Sequence, residues 1–143
     1  MSDPTWPEGL PAVQVRFARP TDQLAAVERF YCEGLGLLKL GEFRAHAGYD
    51  GIFIGMPGFP YHLEFTQHEA GSPCPAPTRD NLLVLYIPDQ GAIDRTVTRL
   101  KAMGHPPVEP ENPYWIGRGV TIEDPDGWRV VLVASPGIGS RPG

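Results

Sequence analysis

A chain of 143 residues, 41% of them hydrophobic, is long enough for one domain or two small packed modules around a real core. Seventeen acidic against 12 basic residues leave a net charge of −5 without any Lys/Arg cluster, which argues against a nucleic-acid partner, since phosphate binding needs a basic stripe. Apolar runs such as LLVLYI and VVLVA are too short for a membrane span, and MSDPTWPEGLPAV shows no basic segment followed by an apolar stretch; the expectation is a cytoplasmic protein with neither signal peptide nor membrane anchor.

Along the chain, Val13, Val15 and Phe17 alternate with Gln14, Arg16 and Ala18, which predicts a strand over Val13–Ala18. A helix follows from about Asp22 to Glu33. Leu24, Val27, Phe30 and Tyr31 form its apolar stripe, Thr21 or Asp22 caps it, and Gly34 ends it. Strands are expected at Leu37–Phe43, Tyr49–Gly55 and Tyr61–Thr66, the last two joined across MPGFP, with His68 past the strand end in solvent. The Pro-rich stretch Gly71–Asp80 is a connector. The order then restarts. LLVLYIP is a strand, and Asp89–Met103 is a helix with Ile93, Val97, Leu100 and Met103 inward and Gly104 at its end. A short strand is expected near Pro107–Glu109. GVTIE and WRVVLVA form a hairpin across EDPDG, and the tail Ser135–Gly143 is loose. Cys32 and Cys74 fit no zinc spacing and read as free thiols.

The two halves repeat each other. Gly36 matches Gly104 and Gly51 matches Gly119 at a spacing of 68, and Tyr61 matches Trp128 at 67. Each half reads β-α-β-β-β, so the fold class expected is α+β. The whole chain, residues 1–143, is one domain made of two modules, about 11–70 and 81–135, with helices on the outer faces of the sheets. A four-stranded sheet with one helix leaves its second face bare, and two such faces turned together enclose a cavity.

RPTDQLAAVERFYCEGLGL, YHLEFT and EDPDGWRVVLVA, in this order and within the paired modules, resemble the vicinal oxygen chelate superfamily of glyoxalase I, bleomycin-resistance proteins and extradiol dioxygenases. The resemblance runs from about Val13 to Ala134. Metal-using members draw ligands from the first and last strand of each module, which here implies Arg16 and Glu64 in the first and Leu82 (or Val84) and Val131 in the second. Only Glu64 matches. A guanidinium donates hydrogen bonds and ligates no cation, and the three aliphatic residues offer no ligand atom. The leading expectation is therefore a protein without a metal cofactor that binds a small organic ligand through Arg16, His62, Glu64, Tyr86, Tyr114 and Trp115. The alternative is a lyase or dioxygenase with one divalent metal on displaced ligands, Glu64, His62 and His46. Simpler readings stand beside these: His62 a hydrogen-bonded strand residue, Glu64 a relic paired with a base, Tyr114 and Trp115 packing over a core edge, Asp124 and Asp126 turn residues. Two-module members commonly pair, so a homodimer is expected.

Overall fold

The computed structural model describes residues 7–139 and builds them into two four-stranded mixed sheets, each with one helix. In the first module β1 (Val15–Pro20), α1 (Leu24–Glu28), β2 (Leu38–His46), β3 (Tyr49–Gly55) and β4 (Tyr61–His68) follow in order, and the sheet runs β1-β4-β3-β2. In the second, β5 (Leu82–Tyr86), α2 (Gln90–Ala102), β6 (Pro107–Val108), β7 (Gly119–Glu123) and β8 (Arg129–Val133) repeat it as β5-β8-β7-β6. β1 is parallel to β4 and β5 to β8, while the other pairs are antiparallel. This is the α+β architecture of tandem βαβββ modules.

The repeated glycines mark where each helix is left. Gly36 and Gly104 have φ of +91° and +95°, left-handed values that cost a side-chain-bearing residue energy. Gly34, expected to end the first helix, has another role. α1 widens after Glu28 into a π-helical segment, Arg29–Gly34, and a Cβ at Gly34 would collide with the Leu100 side chain of α2. The Gly34 carbonyl also accepts from Arg99 Nε at 2.9 Å. The two helices thus touch each other while each covers one face of its own sheet. The start of α1 is served jointly: Thr21 Oγ1 accepts from the Gln23 N–H at 3.0 Å and Gln67 Oε1 from the Leu24 N–H at 3.1 Å. Asp22, the other expected cap, instead accepts from the Ser72 N–H of the connector. Asp89 caps α2, accepting from the Gly91 N–H at 2.9 Å.

One core joins the modules. Leu24, Val27, Phe30 and Tyr31 pack with Ile52, Ile54, Leu63 and Phe65, and this cluster continues into Ile93, Leu100, Ile122, Val130 and Leu132. β4 runs longer than expected, so His68 is its last residue rather than a solvated one beyond it. The His68 Nδ1 accepts from the Ala70 N–H, and its ring lies 4.6 Å from that of Tyr49. Of the tail expected to be loose, residues 140–143 lie outside the described residues, and Gly137 passes close to the Tyr86 ring.

The EDPDG turn is more than a hairpin connection. Asp124 Oδ1 accepts from the N–H groups of Asp126 and Trp128, as a turn aspartate does. Its Oδ2 accepts from Arg19 Nη2 at 2.6 Å and from the Tyr31 hydroxyl at 2.8 Å, both from the first module. Asp126 accepts from Arg19 Nη1, Thr21 Oγ1 and Gln23 Nε2 at 2.7–2.8 Å. Arg19 is buried, its side chain 5% exposed, and its guanidinium lies over the rings of Phe65 and Trp128. These residues clasp the second module to the first.

Candidate functional site

Alternation and pairing register decide which side chains share a face. Arg16 lies opposite His62 on the parallel β1–β4 pair, and Phe53 lies opposite Glu64 on the antiparallel β3–β4 pair. All four therefore stand on the face of the first sheet that α1 does not cover. Phe17, Arg19, Leu63 and Phe65 stand on the other. The expectation that Arg16 and Glu64 are neighbours corresponds to a distance of 3.7 Å between Arg16 Nη1 and Glu64 Oε1. The stronger bond is to the histidine: Arg16 Nε donates to His62 Nε2 at 2.9 Å. The guanidinium also sits 4.6 Å from the centroid of the Phe53 ring.

The bond from Arg16 settles the state of His62. An arginine only donates, so His62 Nε2 is the acceptor and the ring proton is on Nδ1. That Nδ1 is buried and has no hydrogen-bond partner among the described residues. His62 is thus a hydrogen-bonded strand residue, as the simplest reading expected, with one of its two ring nitrogens left without a partner among the described residues. Glu64 is largely covered, its side chain 14% exposed, whereas that of Arg16 is 48% exposed. The pair is thus at the surface rather than buried.

The second-module counterparts of Arg16 and Glu64 are apolar, Leu82 and Val131, while those of His62 and Phe53 are Arg129 and Thr121. Leu82 faces Arg129 as Arg16 faces His62, so pairing assigns Leu82 rather than Val84 as the counterpart of Arg16. Val131 lies between Val84 and Thr121, and the buried Thr121 hydroxyl, like His62 Nδ1, has no partner. Arg129 is consumed locally, donating to Glu123 and to the Glu109 carbonyl.

The structure brings Arg16, His62 and Glu64 together and leaves the other candidates apart. His46 ends β2 opposite Tyr49, four residues along β3 from the Phe53 that faces Glu64. His46, His62 and Glu64 thus do not converge, and no group of three His, Cys, Asp or Glu side chains among the described residues is placed to hold a metal ion. With Arg16, Leu82 and Val131 at the remaining positions, the donor set does not fit the superfamily's metal. Tyr86 closes β5 on the helix-free face and is partly exposed. Tyr114 and Trp115 form a short 3-10 turn capped by Asn112, their rings edge to face at 5.0 Å. Arg118 stacks on the exposed Tyr114, and Trp115 borders an open groove with Val108 and Ile116. No hydrogen bond or ring contact joins these residues to the first-module set. Phe53 escaped sequence reasoning, although pairing Tyr49–Gly55 with Tyr61–Thr66 across MPGFP places it beside Glu64.

Models of the YycE-like N-terminal and C-terminal domains match residues 15–66 and 80–134. The protein YycE of Bacillus subtilis (strain 168) is 54% identical over 130 residues, which make up 91% of this chain and 94% of that one. The chain belongs to the YycE-like family. The crystal structure of a YycE protein from B. subtilis superposes with a TM-score of 0.87 at 52% identity, covering 94% of this chain and 98% of that one. More distant neighbours carry the fold of the vicinal oxygen chelate superfamily. The trypanothione-dependent glyoxalase I of Leishmania major has a TM-score of 0.66 at 19% identity, covering 82% of this chain and 83% of that one. TnmS3, an antibiotic-binding protein from Streptomyces sp. CB03234, has 0.58 at 22%, covering 82% of this chain and 91% of that one. No helix among the described residues is long and apolar enough to cross a membrane.

Proposed function

We propose that this YycE-like chain binds a small organic ligand on the helix-free face of its first module, and that it does so without the metal quartet used by enzymes of the superfamily. The observation that carries this reading is the half-exposed Arg16 guanidinium over the Phe53 ring, beside the covered and unpartnered His62 Nδ1–H. An unmet buried donor costs about 1–3 kcal/mol. A carbonyl or carboxylate oxygen of a ligand meets Arg16 Nη2, which makes no hydrogen bond among the described residues, and a side-chain shift that uncovers His62 Nδ1–H lets it satisfy that donor as well. Phe53 provides an aromatic floor and Glu64 holds the guanidinium in place. That a structural neighbour of the same fold is an antibiotic-binding protein supports a binding role.

The test is a screen of small carboxylates and carbonyl compounds by NMR, read at the Arg16 Nε–H and His62 Nδ1–H resonances. At least one compound is expected to shift both saturably, with the response lost in Arg16→Ala. The reading fails if purified protein carries about one equivalent of a divalent metal that Glu64→Gln loses; a metal-dependent lyase or dioxygenase then replaces it.

A further inference from the structure

A half-open cleft lies on the side of β1 and β4 opposite to Arg16. It is a cavity of about 220 Å³ at the seam between the modules, walled by Phe17, Leu63 and Phe65 from the first and by Leu82, Leu83 and Trp128 from the second. Arg19, Tyr31, Arg129, Tyr61 and Asn81 complete its lining. Neither of its two cations is free to receive an anion. Arg19 is paired with both Asp124 and Asp126, and Arg129 with Glu123. The Tyr31 hydroxyl is committed to Asp124. Two polar groups at the rim do remain open: the Tyr61 hydroxyl and the Asn81 side-chain N–H₂ make no hydrogen bond to another described residue. Burial pushes the Tyr61 hydroxyl above its ordinary pKa, so it stays a protonated donor at neutral pH.

From this chemistry we infer that the seam cavity is a binding site, separate from the Arg16 face, for a neutral single-ring aromatic molecule bearing one hydroxyl or carbonyl group. Size fits, since a dry apolar cavity of roughly 150 Å³ already admits benzene. Aromatic and aliphatic walls take the ring, Tyr61 or Asn81 meets its one polar atom, and a charged ligand is excluded because no uncommitted counter-charge exists to offset its desolvation. The occupant would touch Arg19 and Tyr31 directly, and so would rest on the clasp that joins the modules.

Phenol, toluene and benzoate titrated into the full chain test this. The reporter is the Trp128 indole N–H, which donates to the Cys74 carbonyl at 2.8 Å and forms part of the wall. Phenol is expected to shift that resonance saturably, with a Kd of about 1 mM or tighter, leaving the Trp115 indole and the Arg16 Nε–H in place; benzoate should not move Trp128. Leu82→Phe fills the space at a half-buried position and should abolish the phenol response. Tyr61→Phe should weaken phenol several-fold and leave toluene unchanged, and because Tyr61 is 38% exposed this variant tests the site even if Leu82→Phe fails to fold. A phenol response that survives in folded Leu82→Phe, or equal binding of benzoate at Trp128, overturns the inference, as does no saturation by about 10 mM. None of these outcomes bears on the Arg16 face, whose resonances are read separately.

Discussion

Arg16 and Arg19 sit three residues apart on β1 and face opposite sides of the sheet, and their energetics should differ accordingly. Arg16 is half exposed and 3.7 Å from its carboxylate, so Arg16→Ala should cost no more than about 1 kcal/mol in urea unfolding. Arg19 is buried against two carboxylates. Arg19→Met strands Asp124, which should cost about 3–5 kcal/mol, and adding Asp124→Asn should recover a measurable part. The two aspartates respond to acid in opposite senses. Burial raises the Asp124 carboxyl above its ordinary value despite the pull of Arg19. Burial acts on Asp126 in the same direction, but hydrogen bonds from Gln23, Arg19 and Thr21 outweigh it and hold that carboxyl below its ordinary value. Asp126 therefore contributes stability that is complete above the unfolded carboxylate pKa and is lost as pH falls through the folded one. Asp124 takes up its proton at a higher pH folded than unfolded, so it adds nothing to that loss. Asp126→Asn should flatten the acid limb of the stability–pH curve, measured by thermal unfolding at a series of pH values. EDPDG was legible as a turn because turn chemistry is local. Its partner, Arg19, is 105 residues away and leaves no local trace.

At the scale of elements, the pattern of the apolar residues carried the reading. Short apolar stretches bounded by turn residues located β3, β7 and the start of β4, and the stripe at Ile93, Val97 and Leu100 located α2, because burial imposes such patterning. What periodicity could not convey was the widening of α1 into a π-helical segment, or the reason for Gly34. Stop-signal glycine and close-approach glycine look alike in a sequence, and only the presence of Leu100 separates them. Gly34→Ala gains helix propensity of up to about 1 kcal/mol. It also drives a methyl group into a fully buried leucine, which typically costs about 1–3 kcal/mol. A net loss of stability is expected, and Leu100→Val in the same chain should lessen it, as a chemical-denaturation series would show. The site was legible to the same depth: sharing of a face by His62 and Glu64 follows from alternation, whereas the Arg16–His62 bond depends on strand register, which spacing alone does not fix.

For the whole molecule, the side on which the modules meet matters most. Their mutual hydrogen bonds come from Arg19, Thr21, Gln23, Tyr31 and Gly34 in the first module, and none involves Arg16, His62, Glu64, Val84 or Val131. Half-exposed Phe17 and Tyr86 remain at the surface of the sheets. A second copy of the chain would cover such faces, and we expect light scattering at about tens of micromolar, where micromolar association would register, to report twice the chain's mass; a monomer there would refute the expectation. The Arg19–Asp124 clasp also has a kinetic meaning. A contact spanning 105 residues closes only after the strands around each end are in place, because its loop-closure entropy must first be met by nearer contacts. It should be weakly formed at the folding barrier. Loss of the clasp should then leave the folding limb of a chevron nearly unmoved and raise the unfolding limb at every denaturant concentration, so that Arg19 acts less to assemble the fold than to keep it from opening at the seam.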